Sequence, residues 1–237
     1  MIKCMCIERS VDMNNNEIIV SNLNIDNTIS IRKYLYFGFK RFFDIFCSCI
    51  GLIFILPIML IVKIVYMCSG DFNSIFYVHE RIGKNEKKFK MYKFRTMVMN
   101  SQEILEEMLK DEDYKKEWEE NHKFENDPRI TKMGNILRKT SLDEIPQIIN
   151  ILKGDMSLIG PRPMIQEEVD AYKKNKAKLL SVRPGLTGWW ACNGRSCTTP
   201  KKRKELELYY VDNCSLFLDI KIIFKTVIAV IKKDGAK

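Results

Sequence analysis

The sequence predicts an α+β protein, mostly helical, in which a small soluble domain follows an N-terminal re-entrant membrane helix broken at Pro57 and carries amphipathic surface helices. Three observations lead there. A charge-free run extends from Ile45 to Val62, apolar residues recur at helical spacing between residues 136 and 152, and only short, bounded segments look like strands. The boundaries that follow are a variable extension over 1–39, the membrane helix over 40–68 and the soluble domain over 69–237.

With 46% apolar residues in 237, the chain can bury one core, and its length fits one domain with appendages. A net charge of +9 and a pI near 9.1 imply an anionic partner: nucleic acid, an anionic membrane surface or a phosphorylated substrate. The eight cysteines include no CxxC pair and have no histidine at zinc spacing. Cys47 and Cys49 lie inside the apolar run, where a thiol behaves as a small hydrophobe. This usage fits a reducing cytoplasm rather than a disulfide framework, so the soluble domain is expected to face the cytoplasm.

Taken in order, the first thirty or so residues lack the basic-then-apolar order of a secretory signal, and Glu17 to Val20 reads as a short strand. After Lys40-Arg41-Phe42-Phe43-Asp44, the apolar run is at the lower limit for crossing a hydrocarbon core. Pro57 removes a backbone hydrogen bond and crowds the preceding turn, which predicts a kink or break. A re-entrant hairpin keeps Lys40-Arg41 and Lys63 on one cytoplasmic side, in line with the distribution of cationic flanks. A straight spanning helix places everything before it outside, and a buried helix of a soluble domain is the third reading.

Beyond Ser74 the composition becomes mixed in charge, with a strand over Phe89 to Phe94. Asn100 or Ser101 caps a long acid-rich helix running towards Asn121, with Ile104, Leu105, Met108 and Leu109 as its apolar stripe. Ile136 and Leu137, then Ile145, Ile148, Ile149 and Leu152, mark two core helices, and Gly154 ends the second. Lys201-Lys202-Arg203-Lys204 is too short and too poor in stacking groups for nucleic acid and reads as a solvated turn. Leu216 to Ile231, with Lys221, Lys225, Lys232 and Lys233, either lies flat on lipid or packs on the domain.

Ser141-Leu142-Asp143-Glu144 matches a capping box, which by itself would only start a helix. Pro146 argues for a different start. With Ser141 as cap, Pro146 would break an intrahelical bond, whereas with Asp143 as cap it falls where none is lost. A carboxylate at that cap is kept ionised and close to any bound phosphate by free N–H groups and the helix dipole, which suits Asp143 as a nucleophile. Glu144 points elsewhere and can help to hold Mg2+. Basic groups gather around this pair in sequence: Arg138 one turn earlier, Arg162 in the stiff Gly160-Pro161-Arg162-Pro163 loop, Lys93 and Arg95 at the strand, and Arg183 and Arg195 bracketing Pro184 to Trp189. Guanidinium groups bind phosphate oxygens in pairs, and phosphoryl transfer rests on positioning and neutralising such oxygens.

Lys40-Arg41-Phe42-Phe43-Asp44, Tyr92-Lys93-Phe94-Arg95-Thr96-Met97, Leu137 to Gln147, Leu152 to Pro163 and Arg183 to Trp189 together resemble the bacterial sugar transferase family, the monotopic polyprenyl-phosphate phosphoglycosyl transferases. The likeness covers nearly everything after residue 39, in the family's order. It implies a two-step reaction on the cytoplasmic face of the cell (inner) membrane. An aspartate attacks the β-phosphate of a UDP-sugar, UMP leaves, and polyprenyl (undecaprenyl) phosphate takes the sugar phosphate, beginning an exopolysaccharide, capsule, O-antigen or glycoprotein glycan. Carried over by residue, Asp143 is the nucleophile, Glu144 its Mg2+-associated partner, and Arg138, Arg162 and Arg195 line the phosphate site, while Pro57 bends the re-entrant helix. Implied partners are the UDP-sugar, polyprenyl phosphate, the lipid bilayer and downstream glycosyltransferases, with no nucleic acid. Gly70 to Phe76, His79, Leu56 and Trp190-Ala191-Cys192-Asn193 depart from the family's usual residues, and none touches the central pair. The rival reading is a non-catalytic membrane-surface scaffold that recruits glycan enzymes through its basic face.

Overall fold

The computed structural model describes residues 2–121, 124–194 and 198–231, and the chain divides into two compact units, Met1–Phe43 and Asp44–Lys237. Helix α1, Ile2–Cys68, supplies all of the first unit that is described and begins the second. Glu17 to Val20 is therefore helical and not the expected strand, because a lone strand would leave its backbone groups unpaired while a helix pairs them locally. The helix runs on through Pro57. The loss of one N–H donor is absorbed within it, so the predicted break does not interrupt the helix. Within α1, Ile31–Cys68 is long and apolar enough to cross a membrane.

In the second unit, α1 packs one stripe onto the domain and leaves the rest bare. Asp44, Ser48, Ile55, Val62 and Tyr66 are buried at intervals of four or seven residues, matching turns of one helix face. Ile53, Phe54, Leu56, Leu60 and Ile61 remain exposed. Asp44, 2% exposed, accepts hydrogen bonds from Ser157 Oγ at 3.1 Å and from the Leu158 N–H at 2.9 Å. A buried carboxylate thus joins the apolar helix to the domain through paired donors, the condition for burying a charge at tolerable cost.

Strands β1, Phe76–Ile82, and β2, Lys88–Phe94, form an antiparallel hairpin with Phe76 opposite Phe94 and Ile82 opposite Lys88. The period-two pattern of β2 turns Phe89 and Met91 to one buried face, against Ile151 and Met156, and Phe94 to the opposite one, against Val62 and Tyr66. The acid-rich segment is two helices, α2 (Ser101–Met108) and α3 (Glu112–Asn121), rather than one. Asp111 causes the division: its Oδ1 accepts the Asp113 N–H at 2.9 Å and starts a new helix.

Helix α4, Lys132–Lys139, is capped by the Thr131 hydroxyl, which accepts the Gly134 N–H at 2.8 Å. Gly134 sits so close to the Thr96 carbonyl that a Cβ there would collide with backbone. Its absence lets α4 lie against the chain leaving β2. A 3-10 turn over Leu142–Gln147 then leads into α5, Ile148–Lys153, which Gly154 ends at φ 89° as its sequence position predicts. The α-helix does not begin at Asp143. Ser141 precedes the 3-10 turn at φ 55° and makes no side-chain cap, and Pro146, buried within the turn, delays regular α-helical bonding to Ile148.

The remaining elements are β3 (Ser157–Ile159), α6 (Gln166–Asp170), α7 (Lys176–Leu179), β4 (Gly185–Thr187), α8 (Pro200–Asn213) and α9 (Leu216–Ile231). Strands β3 and β4 pair in parallel, Ser157 with Gly185 and Ile159 with Thr187. Helix α9 buries Leu218, Asp219 and Ile222 on the domain and exposes Phe217, Ile220, Phe224, Val227 and Ile228. One face thus packs on the domain, as one of the two readings of its sequence has it, and the opposite face is apolar and exposed. Lys232 and Lys233 lie outside the described residues. The Lys201 to Lys204 run is the first turn of α8, not a solvated loop: Arg203 lies over the Trp190 ring at 4.8 Å, and Lys204 Nζ donates to the Ala171 carbonyl.

Candidate active site

The β1–β2 hairpin, the 3-10 turn and the segments following β3 and β4 surround a cavity of about 1600 Å³ whose lining includes Asp143, Glu144, Lys93, Arg138 and Arg162. Each residue arrives there for a local reason. Lys93 is the penultimate residue of β2, and its Nζ meets Glu144 Oε1 at 2.6 Å. Arg138 stands in the last turn of α4 and donates from Nε to Thr96 Oγ1 at 3.0 Å. The buried Asn150 of α5 fixes the relation between turn and strand, accepting the Tyr92 N–H and donating to the Lys90 carbonyl. Asp143 and Glu144 therefore face Lys93 through a framework of strand, turn and helix with little freedom to shift.

Burial raises the Asp143 carboxyl above the usual carboxylate range, and the neighbouring Glu144 adds to this, while the Lys93 and Arg138 charges oppose it. No α-helix begins there, and of the expected helix-end stabilisation of its anion a hydrogen bond from its own backbone N–H remains. Lys93 and Arg138 add to it.

Two predicted phosphate ligands have other work. Arg95, 6% exposed, pairs with Asp71 at 2.8 Å, donates to the Ser74 carbonyl at 2.8 Å and to the Met97 carbonyl at 3.3 Å, and lies over Tyr66. Although it borders the cavity, its donors hold the fold together. Strand β2 ends at Phe94, so the alternation that would have put Arg95 on the same face as Lys93 stops one residue too soon. Arg183 donates from Nε to the Gly154 carbonyl at 2.8 Å, closing the end of α5, and is not part of the cavity wall. Arg195 lies outside the described residues.

Among the described residues, no group of three or more His, Cys, Asp or Glu side chains is placed to hold a metal alone. Asp143 and Glu144 nevertheless fit Mg2+, which keeps several waters and takes one or two carboxylates together with substrate phosphates. Zinc, which needs three or four protein ligands, does not suit this pair.

The other end of the cavity holds groups that sequence reasoning did not single out as site residues: Arg81, Glu168 and Glu207, with Trp190 and Arg203. Arg81 and Arg203 both approach Glu168, at 3.6 and 3.2 Å. Glu207 is 1% exposed, and burial pushes its carboxyl up to about 7 against the opposing Arg162 N–H, Arg203 and Arg162. An acidic residue in a helix otherwise rich in charge gives no sequence signal of such burial. Because the folded state holds this proton more tightly than an unfolded glutamate, the resulting stability is complete below about pH 4.5 and lost as pH rises through about 7. The magnitude is on the order of 3 kcal/mol. The thermal midpoint is expected to fall between about pH 5 and pH 8, and Glu207→Gln to flatten that slope. An equal slope in both proteins would refute the assignment.

Fold and site together define a class: a small α+β domain carried on an apolar helix, whose cleft sets two adjacent carboxylates among lysine and arginine. The family model for bacterial sugar transferases matches residues 35–233, and the chain belongs to that family. It is 44% identical over 215 residues to undecaprenyl-phosphate galactose phosphotransferase of Salmonella typhimurium, covering 90% of this chain and 44% of the relative. It is 42% identical over 198 residues to exopolysaccharide production protein ExoY of Rhizobium meliloti, covering 83% and 87%. It is also 32% identical over 209 residues to UDP-N-acetylgalactosamine-undecaprenyl-phosphate N-acetylgalactosaminephosphotransferase of Aeromonas hydrophila, covering 86% and 46%. The chain spans less than half the length of the first and last of these.

Proposed function

We propose that this protein transfers a sugar 1-phosphate from a UDP-sugar to polyprenyl phosphate, releasing UMP, and so begins assembly of a surface glycan. The observation that carries the reading is the cleft in which Asp143 and Glu144 stand beside Lys93 and Arg138. The names of the Salmonella and Aeromonas relatives supply the acceptor, undecaprenyl phosphate, and the class of reaction.

In the first step an Asp143 carboxylate oxygen bonds to the β-phosphorus, the bond to the bridging oxygen breaks, and UMP departs with the electron pair. In the second a polyprenyl phosphate oxygen attacks the same phosphorus, and the Asp143–phosphorus bond breaks to restore the carboxylate. Arg138 and Lys93 balance charge on the phosphate oxygens during both steps. Mg2+ held by Asp143 and Glu144 would supply further neutralisation of those oxygens.

The exposed apolar faces of α1 and α9 support placement at a membrane, which we assign to the cytoplasmic face of the inner membrane; there α1 would have to bend at Pro57, through which its helix is continuous here, to be re-entrant. A tag at residue 1 should then be inaccessible from outside intact cells. Labelling of that tag would overturn the re-entrant topology.

Membranes containing the protein should release UMP and form a polyprenyl-diphosphate sugar when offered the matching member of a UDP-sugar panel. The scaffold reading instead requires Asp143→Ala at normal abundance to sustain glycan assembly in cells. Such complementation, or no product from any donor, would overturn the proposal.

A further inference from the structure

The Pro161-Arg162-Pro163 turn has a property visible only from its backbone accounting. Neither proline carries an N–H, so the Arg162 N–H is the single backbone donor in those three residues. That N–H points at Glu207, with 3.2 and 3.3 Å to its two carboxylate oxygens. The flanking rings fix φ at two positions, and the residue before a proline is held extended. One anchored donor therefore completes the restraint of the turn.

Glu207 is well placed to hold it. Its side chain is buried in α8, and Tyr210, three residues on and on the same helix face, reaches the Ile159 carbonyl at 3.3 Å and Asp219 at 2.8 Å. Helix α8 thus grips the chain on both sides of Gly160. Above this anchor the Arg162 side chain is exposed in the cavity, its guanidinium 5.7 Å from the centre of the Trp190 ring. Arg203, one turn before Glu207, lies over the same indole. The Trp190 Nε1–H donates to Thr198 Oγ1 at 2.7 Å and keeps the ring in place.

We propose that Glu207 is a positioning residue for the nucleotide-sugar site: by binding the Arg162 N–H, its carboxylate holds the Pro-Arg-Pro turn so that the Arg162 guanidinium is presented to an anionic ligand across Trp190. This rests on the reading of the cavity as a nucleotide-sugar site. A misdirected guanidinium would lose paired contacts with phosphate oxygens, so the effect should appear in ligand affinity before the chemical step.

The test uses the full chain in lipid nanodiscs, with UDP as the probe and amide hydrogen exchange as a second readout. Glu207→Ala should weaken UDP binding about tenfold, as should Arg162→Ala, and the double variant should be no weaker than Arg162→Ala by more than about twofold. Exchange at the Arg162 amide should accelerate about tenfold or more in Glu207→Ala. Glu207→Gln, which keeps an acceptor oxygen and the side-chain volume, should restore both slow exchange and UDP affinity to within about threefold of the parent. It also keeps the test available if the alanine variant does not fold. Additive losses in the double variant, unchanged exchange at Arg162 in Glu207→Ala, or a glutamine variant as weak as the parent lacking Arg162 would each overturn the inference. Failure of the parent to bind UDP would count instead against the nucleotide reading, since the exchange experiment decides the anchoring of the turn without any ligand.

Discussion

Asp143→Asn is expected to abolish transfer of label from a UDP-sugar to the protein and to lower turnover by at least about a thousandfold. The amide matches the carboxylate in shape and keeps hydrogen-bonding capacity, but it cannot form the phosphoryl bond and regenerate a carboxylate. Incubation with donor labelled in the sugar and in its β-phosphate, followed by denaturing gel and mass analysis, gives the comparison. The parent chain should gain the mass of one sugar phosphate on Asp143, and the asparagine variant should gain none. Retained labelling in the variant would remove Asp143 from the role of nucleophile. The surroundings make the expected loss specific: Lys93 is within an ion-pair distance of Glu144, so the local fold retains its Lys93–Glu144 contact when Asp143 alone is changed.

Arg138→Ala is expected to lower kcat/KM by about a hundredfold or more, because it removes a fixed guanidinium from the site where phosphate charge shifts. The side chain also donates from Nε to Thr96 Oγ1, so part of the loss could come from movement of α4 against the end of β2. Arg138→Lys separates the two effects. A lysine keeps the charge but not the planar fork, and should recover only part of the activity while the thermal midpoint changes by little. Steady-state rates with the matching donor, read beside thermal unfolding of each variant, supply the test. A kcat/KM within threefold of the parent for the alanine variant would exclude Arg138 from the phosphate site.

Several features were legible in the sequence because they depend on near neighbours. The charge-free run gave an apolar helix, the short bounded segment from Phe89 to Phe94 gave strand β2, and Gly154 gave the end of α5 through its left-handed backbone. Asp143, Glu144, Lys93, Arg138 and Arg162, grouped in the sequence by charge and motif, line one cavity in the fold. The local argument failed where two close conformations compete. Pro146 does not move the helix start to Asp143: a 3-10 turn begins at Leu142, directly after Ser141, with Pro146 inside it, and regular α-helix follows only at Ile148. Asp111 likewise divided an acidic helix that composition alone left continuous.

By itself, then, the sequence determined the family and the apolar helix, both of which reside in local spacing and residue chemistry. The tertiary structure alone decided which charges are available to a ligand. Arg95 and Arg183 have the same chemistry as Arg138, but one is enclosed by Asp71 and backbone carbonyls and the other closes α5 at Gly154. Glu207 resembles its acidic neighbours in sequence and differs from them only in lying beneath the Arg162 turn, 45 residues away along the chain. A guanidinium or carboxylate takes its role from the groups that satisfy or desolvate it, and those partners come together only when distant segments pack.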